Sequence, residues 1–158
     1  MDGMSHLAST RAASRWFEDF DLGERFDLPL RCMTPDLFRS FLHASGETHP
    51  LHSDSAYCRG QDLPDMMAHG FQVLIQTTAG AGDFHFLVEE SLVGLIEQSS
   101  RFARPVYAGD TLHPLLQVVE LAPNTSTGVV GLRSTVHNQR RELVLEGGQR
   151  YLLRKRPR

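Results

Sequence analysis

The pattern of hydrophobic and polar positions changes near the middle of the chain. In the first half, the apolar side chains of segment 37–42 fall on one face at helical spacing. Thr34 and Pro35 suit an N-cap and the first helical position, and Gly46 suits a helix stop. This pattern predicts a helix that begins after Thr34 and ends before Gly46.

Two further helices are predicted before the pattern changes. A short helix covers Ser53–Cys58, with Ser53 or Asp54 as its cap. The most apolar candidate is Gly70–Ala79, which runs into the small residues of segment 79–82. Each glycine in that run would cost a helix about 1 kcal/mol, so we expect the apolar helix to end within it.

Strand patterns dominate from Val93 onward, after a short strand predicted near Leu22–Phe26. Four long segments with β-branched residues and partial alternation are separated by turn residues: Val93–Phe102, Thr111–Leu121, Ser126–His137 and Glu142–Leu153. Helices first and a meander afterwards predict a single α+β domain. Its apolar helix should pack on one face of an antiparallel sheet.

Composition and charge exclude several classes of protein. The chain has 158 residues, is 41% hydrophobic and carries a formal net charge of −3, which fits one globular domain without a general attraction to nucleic acid. No apolar stretch is long enough to span a membrane. We predict a flexible leader over residues 1–15, a domain over 16–154 and a basic tail over 155–158. The leader lacks the apolar core of a secretory signal, and Cys32 and Cys58 form no CxxC pair, so a cytoplasmic protein with reduced thiols is expected.

The densest cluster of polar side chains lies in segment 45–54, between the first two predicted helices. Three interpretations stay open from the residues alone. Its charged side chains could be structural caps, or His49, His52 and Asp54 could ligate a metal, although Pro50 keeps the histidines off one helical face. Alternatively, Glu47 and His52 could converge on one water and share its proton transfers.

A second segment, Ala68-His69-Gly70, opens the apolar helix. The first N–H groups of a helix have no partner within it, and such a terminus can polarise a carbonyl and hold the negative charge that develops on its oxygen. Gly70 is the natural donor because a glycine allows a substrate close to the main chain. Tight packing against the sheet would also explain a glycine at this position.

Three motifs in this order resemble those of the MaoC-like dehydratases, the (R)-specific enoyl-CoA hydratase family. They are Ser45–Asp54, Ala68–Gly70 and Arg104–Leu112, and the resemblance extends over residues 16–153. It implies a hotdog fold, in which a long apolar helix is wrapped by a curved antiparallel sheet.

The resemblance also implies catalytic roles. Glu47 falls where the family usually has its catalytic Asp, and His52 falls on the catalytic His. Gly70 falls on the residue whose N–H binds the thioester oxygen. The main departure is Glu47, which keeps the charge of Asp but adds a methylene of reach.

Four more residues are expected to position the substrate or its water. His49 stands where the family usually has Asn, and Thr78 stands where some members place a Ser. Asp54 and His69 complete this set, with His69 orienting the loop beside Gly70.

The implied reaction is the reversible hydration of a trans-2-enoyl-CoA to the (R)-3-hydroxyacyl-CoA, with no metal or organic cofactor. The alternatives are a hotdog acyl-CoA thioesterase, whose usual acid near the helix start is missing here, and a non-catalytic acyl-CoA-binding protein. The acyl group could also be branched or dicarboxylic. Arg101, Arg104 and Arg133 are candidates to bind the CoA phosphates. The implied partner is a second copy in a homodimer, with assemblies of two or three dimers as further options.

Overall fold

A computed structural model describes residues 13–78 and 82–158 of the chain. Its centre is a six-stranded sheet in the order β1-β4-β5-β6-β3, with β2 also pairing with β4. The strands are β1 (Arg25–Asp27), β2 (Arg31–Cys32), β3 (Leu92–Phe102), β4 (Thr111–Pro123), β5 (Thr127–His137) and β6 (Leu143–Arg154). Every pairing is antiparallel, as predicted. The predicted four-strand meander is confirmed only for β4, β5 and β6, because β3 crosses over to pair with β6 and not with β4.

Four α-helices lie among the described residues: α1 (Pro35–Ser45), α2 (Ser55–Gly60), α3 (Gly70–Leu74) and α4 (Phe84–Leu87). Helix α1 begins and ends as predicted. The Thr34 hydroxyl accepts the N–H of Leu37 at 3.3 Å, and Gly46 has a φ of 72°, the left-handed conformation that suits glycine at a helix end. Within residues 13–78 and 82–158, no helix has both the length and the apolar character needed to cross a membrane.

Helix α3 is shorter than the predicted apolar helix. It is α-helical over five residues and continues as a 3₁₀ turn over Ile75–Thr77, while the predicted end at Ala79 lies outside the described residues. Its inner face packs on the sheet, where the Gln149 amide donates to the Thr77 carbonyl at 3.1 Å and to the Thr77 hydroxyl at 2.6 Å. These bonds fix the C-terminal end of the segment to β6.

The hydrophobic core divides into two clusters. The first, which we call the distal core, lies beside the N-terminal segment and α4 and contains Phe17, Phe20, Leu28, Phe84, Val88, Leu116, Val118, Val130, Leu132, Tyr151 and Leu153. The second, which we call the site-side core, lies beneath α1 and the start of α3 and contains Met33, Phe38, Met66, Ala68, Val73, Val106, Leu112, Val136, Val144 and Leu145.

Packing at both ends of the chain extends beyond the predicted domain limits of 16 and 154. Arg15 belongs to the predicted leader, yet its N–H donates to the Leu87 carbonyl at 2.5 Å and its carbonyl accepts from the Ser91 hydroxyl at 2.6 Å. In the predicted basic tail, the Arg156 guanidinium pairs with Asp19 at 2.7 Å. Arg15 and Arg156 therefore contact the region around the distal core.

Candidate active site

The loop between α1 and α2 folds around the carboxylate of Glu47. Its Oε1 atom accepts two backbone N–H groups, from Thr48 at 2.9 Å and from His49 at 2.8 Å. The charged form of a carboxylate is the better acceptor, so these bonds favour ionisation. They are the main reason that the pKa of Glu47 lies below its ordinary value, and the neighbouring His52 and His69 lower it further when their rings are protonated.

His52 is oriented by a backbone carbonyl. Its Nδ1 atom lies 2.6 Å from the Met67 carbonyl oxygen. A carbonyl oxygen only accepts, so Nδ1 carries a hydrogen and donates it. The Nε2 atom is then the nitrogen that can exchange a proton with a substrate or a water.

His69 is the second imidazole beside Glu47, and its tautomer is the opposite one. Its Nδ1 atom accepts the N–H of Phe71 at 3.1 Å, so Nε2 carries the hydrogen in the neutral ring. That Nε2 atom lies 3.8 Å from Glu47 Oε2, and the His69 and His52 ring centroids are 5.1 Å apart. Glu47, His52 and His69 therefore form one cluster.

His49 and Asp54 act in the structure as caps. The Nδ1 atom of His49 accepts the N–H of Leu51 at 3.2 Å, at the start of a 3₁₀ turn over Pro50–His52. The Asp54 carboxylate caps α2 by accepting the N–H of Ala56 at 2.8 Å and that of Tyr57 at 3.0 Å. Of the two caps that the sequence allowed for α2, Asp54 is the one used. Across the part of the chain that the structure describes, no three His, Cys, Asp or Glu side chains are grouped closely enough to hold a metal ion.

Gly70 lies at the start of α3, beside a cavity of about 460 Å³ between segments 63–73 and 102–107. None of the described residues accepts a hydrogen bond from its N–H. Because α3 has only five residues, its dipole is small, and the donor strength at Gly70 comes from this single N–H group. The ring of Phe102 covers the glycine closely, since a Cβ at position 70 would lie 3.0 Å from the Phe102 Cζ atom.

The remaining predicted site residues make local contacts. The Thr78 hydroxyl donates to the Ile75 carbonyl at 3.0 Å. Arg101 and Arg133 both pair with Glu146 on the sheet surface, whereas Arg104 lines the cavity and donates to the Leu143 carbonyl at 3.1 Å. Of the three arginine candidates, Arg104 is therefore the one beside the cavity.

Sequence reasoning missed two contributors to this region. Met67 orients His52 through its main chain, and a backbone acceptor leaves no mark in a residue pattern. Phe102 was assigned only to the end of a strand. Its place over Gly70 depends on how the β3 end crosses α3, which no local signal reports.

An antiparallel sheet packed against a central helix, with its polar cluster at the start of that helix, defines a hotdog-fold protein. A Mycobacterium tuberculosis structure titled as having a double hotdog fold is similar to this chain, with 25% identity and a TM-score of 0.79. That alignment covers 91% of this chain and 45% of the other. The fold class predicted from the sequence is confirmed.

The family follows from two comparisons. The family model for the MaoC-like domain matches residues 19–139. A structure titled monoamine oxidase regulatory protein, from Archaeoglobus fulgidus, shares 30% identity with a TM-score of 0.83, and the alignment covers 91% of this chain and 97% of that chain. The chain belongs to the MaoC-like domain family, a family of the hydratase and dehydratase kind.

The structure titled R-hydratase PhaJ1, from Pseudomonas aeruginosa, is also similar. It shares 23% identity with a TM-score of 0.73, over 89% of this chain and 86% of the other. At this level of identity the likeness concerns the fold.

Proposed function

We propose that this protein hydrates a trans-2-enoyl-CoA to the (R)-3-hydroxyacyl-CoA, reversibly. The observation that carries the proposal is that one cluster holds both an ionised Glu47 and a His52 whose Nδ1 is occupied by the Met67 carbonyl. One group is then ready to take a proton, and the other has a single nitrogen, Nε2, with which to give one.

In the proposed reaction, Glu47 takes one proton from a water as its oxygen bonds to the β-carbon. The protonated His52 gives its Nε2 proton to the α-carbon, so the double bond becomes a single bond. Glu47 then holds one proton more and His52 one fewer, and a transfer between them through solvent restores the starting state. Dehydration follows the same steps backwards.

The thioester oxygen is placed on the N–H of Gly70. This donor withdraws electron density from the β-carbon and stabilises the enolate-like charge on the oxygen during addition. The adjoining cavity of about 460 Å³ has the size of a small-molecule site and would take the chain beside the thioester. Protein groups supply all the proton transfers, so the reaction as proposed needs no metal or organic cofactor.

His69, His49, Asp54 and Thr78 are proposed as positioning residues. His69 faces Glu47 from the start of α3, and the His49 N–H holds the Glu47 carboxylate directly. Asp54 fixes the loop by capping α2. The proposed part of Thr78 in placing the water depends on its hydroxyl leaving the Ile75 carbonyl.

Non-catalytic binding of acyl-CoA is the second candidate. It is favoured by the two backbone N–H groups that already occupy Glu47 Oε1, and by the regulatory name of the 30% identical Archaeoglobus protein.

A cytoplasmic location stays a prediction.

We also propose that the protein is a homodimer joined along β3. Among the described strands, this edge strand pairs only with β6, and it exposes Val93, Leu95 and Ile96. Phe71 on α3 and Ile75 in the 3₁₀ turn after it are also exposed. Exposed apolar edges are normally covered. The alignment with the double-hotdog chain covers 45% of that chain, which leaves room in it for a second hotdog domain. In the proposed homodimer, a second copy of this protein would take the place of that second domain. A dimer in sedimentation that becomes a monomer with Ile96→Lys would support this, and a monomeric wild type would refute it.

The test of the reaction is incubation with crotonyl-CoA while enoyl-thioester absorbance and free thiol are both followed. We expect loss of absorbance without thiol. His52→Ala and Glu47→Gln should each lower the rate by at least about 100-fold, because each removes one proton-transfer group. The matched control is His43→Ala, which removes an exposed histidine of α1 outside the cluster.

Each other outcome has a distinct meaning. Thiol release would make the protein a thioesterase. Binding of CoA thioesters without either signal, across short, medium and branched enoyl-CoAs, would leave the second candidate. Hydration that survives both site variants would overturn the roles of Glu47 and His52.

A further inference from the structure

We infer that Asp110 is a positioning residue for His52, acting through the main chain of Tyr107 and Met67. This rests on the proposed function, because it assigns His52 a reacting nitrogen. The side-chain partners that the structure describes for Asp110 lie outside the catalytic cluster.

Asp110 holds the turn that leads from β3 to β4. The residue is 7% exposed. Oδ2 accepts the N–H of Tyr107 at 2.9 Å, and Oδ1 accepts the Gln139 side-chain amide at 2.7 Å. The carboxylate therefore ties Tyr107 to the β5–β6 connection.

The same turn pairs with the segment before α3. Met67 and Tyr107 form an isolated antiparallel bridge. On either side of it, the Ala68 N–H donates to the Val106 carbonyl at 2.7 Å and the Ala108 N–H donates to the Met66 carbonyl at 2.9 Å. Two bonds thus fix the peptide planes around Met67.

The polar groups of Met67 itself point the other way. In extended backbone, successive N–H and C=O groups alternate between the two sides of the chain. Because Met66 and Ala68 bond to the turn, Met67 faces the catalytic loop, donating its N–H to the Leu51 carbonyl at 3.0 Å and accepting from His52 Nδ1 at 2.6 Å. The extended segment lies between the turn and the loop and transmits the position of one to the other.

The orientation of the Met67 carbonyl decides which nitrogen of His52 carries the hydrogen. Without the Asp110 anchor, Tyr107 loses a bond, the bridge loosens and the Met67 carbonyl no longer holds one direction. The His52 ring then samples both tautomers, and Nε2 is no longer always the nitrogen that is free to exchange a proton. A small misplacement of this kind is enough to lower a rate by about tenfold or more.

The experiment measures the His52 tautomer directly, from the ¹⁵N shifts of its ring in the full-length protein without substrate. We expect a dominant Nδ1–H form in the wild type and a mixture in Asp110→Ala. Asp110→Asn keeps an oxygen to accept the Tyr107 N–H, so it should restore the Nδ1–H form. Gln139→Ala removes an exposed partner of Asp110 and should give a smaller shift in the same direction. This variant keeps the proposal testable if Asp110→Ala does not fold.

The matched control is Asp19→Ala, which removes a carboxylate that accepts a backbone N–H and pairs with an arginine beside the distal core. It should leave the His52 tautomer unchanged. With crotonyl-CoA, Asp110→Ala should lower kcat by about tenfold with little change in KM. It should also displace the pH profile of the reaction. A purely structural loss would instead lower the active fraction of the protein without moving that profile. An unchanged tautomer in both Asp110→Ala and Gln139→Ala would overturn the inference. If the variants change the His52 tautomer but the wild type does not hydrate crotonyl-CoA, the result would count against the proposed function and not against this inference.

Discussion

The distal core and the site-side core are held together by different forces. Phe20 and Phe84 of the distal core and Phe26, which packs against it, meet in pairs with ring centroids 6.3, 6.1 and 4.9 Å apart. The site-side core has one buried phenylalanine, Phe38, and its neighbouring segments are joined by the backbone bonds of the Met67–Tyr107 bridge.

This difference suggests a division of labour within one small domain. Aromatic burial is large and tolerant of direction, so it suits the part that stabilises the fold. Hydrogen bonds contribute less on balance but fix orientation, so they suit the part that places Nε2 and the Gly70 N–H. Substitutions in the two halves should consequently separate stability from activity.

The largest expected effect is the loss of an aromatic side chain from the distal core. Phe84→Ala should reduce the free energy of unfolding by about 3–5 kcal/mol, because it removes a buried ring from a packed cluster. Urea denaturation measures this. Phe86→Ala, on the same short helix but 43% exposed, is the matched control and should cost less than about 1 kcal/mol. Equal losses from the two variants would contradict the role given to the distal core.

The next effect falls on activity at the start of α3. Gly70→Ala adds a methyl group 3.0 Å from Phe102 Cζ, so the ring or the backbone must shift, and kcat/KM should fall by about 100-fold. Stability should change far less than in Phe84→Ala. Adding Phe102→Ala to Gly70→Ala makes room for the methyl group and should recover part of the loss. If the double variant is no better than Gly70→Ala, close contact with Phe102 is not the reason for the glycine.

A smaller effect is expected from shortening the carboxylate. Glu47→Asp keeps the charge, but the loop is folded around the longer side chain, so kcat should fall by about tenfold. Glu47→Gln is the comparison, since it keeps the length and removes the charge. A wild-type rate for Glu47→Asp would show that the loop adapts to either carboxylate.

The pH profile of hydration gives a further test of Glu47. Its pKa is lowered, chiefly by the two backbone N–H donors, so the acid limb of kcat/KM should lie below the ordinary glutamate value of 4.5. Activity needs the ionised form and is lost as pH falls through the lowered pKa. Circular dichroism at each pH separates this loss from unfolding. An acid limb above 4.5 would mean that another group limits the rate.

The smallest expected effect is at Asp19, beside the distal core. Its pKa is lowered by the bond from the Trp16 N–H and by Arg156. The stabilisation that follows is present above the ordinary value of 3.8 and is lost as pH falls through the lower pKa of the folded state. Asp19→Asn should therefore cost less than about 1 kcal/mol at neutral pH, measured by urea denaturation, and the difference from wild type should vanish in acid. A difference that persists in acid would assign the effect to lost hydrogen-bond geometry.

The four long strands and α1 were predictable because their signals are local. Thr34 and Gly46 mark both ends of α1, and each long strand begins and ends within two residues of its predicted limits. The two-residue strand β2 and the four-residue helix α4 were missed, since neither is long enough to show a period. Helix α3 ends at Leu74, before the glycine run in which its end was predicted.

The candidate site was predictable in its residues and less so in its geometry. Proximity in sequence indicated Glu47 and His52, and the start of the apolar helix indicated Gly70, with His69 beside it. The tautomers of His52 and His69 depend on Met67 and Phe71 main-chain atoms, which pattern analysis does not see. The catalytic roles of these residues stay predictions until the variants are measured.

The acceptor that orients His52 belongs to the peptide unit of residue 67, and every amino acid carries that unit. A saturation library at this position should therefore tolerate most side chains that its half-buried environment admits. Intolerance should appear at its neighbour, where proline at position 68 would delete the N–H that bonds Val106. The tautomer of His52 thus depends on the backbone bonds next to residue 67 and not on the side chain of that residue.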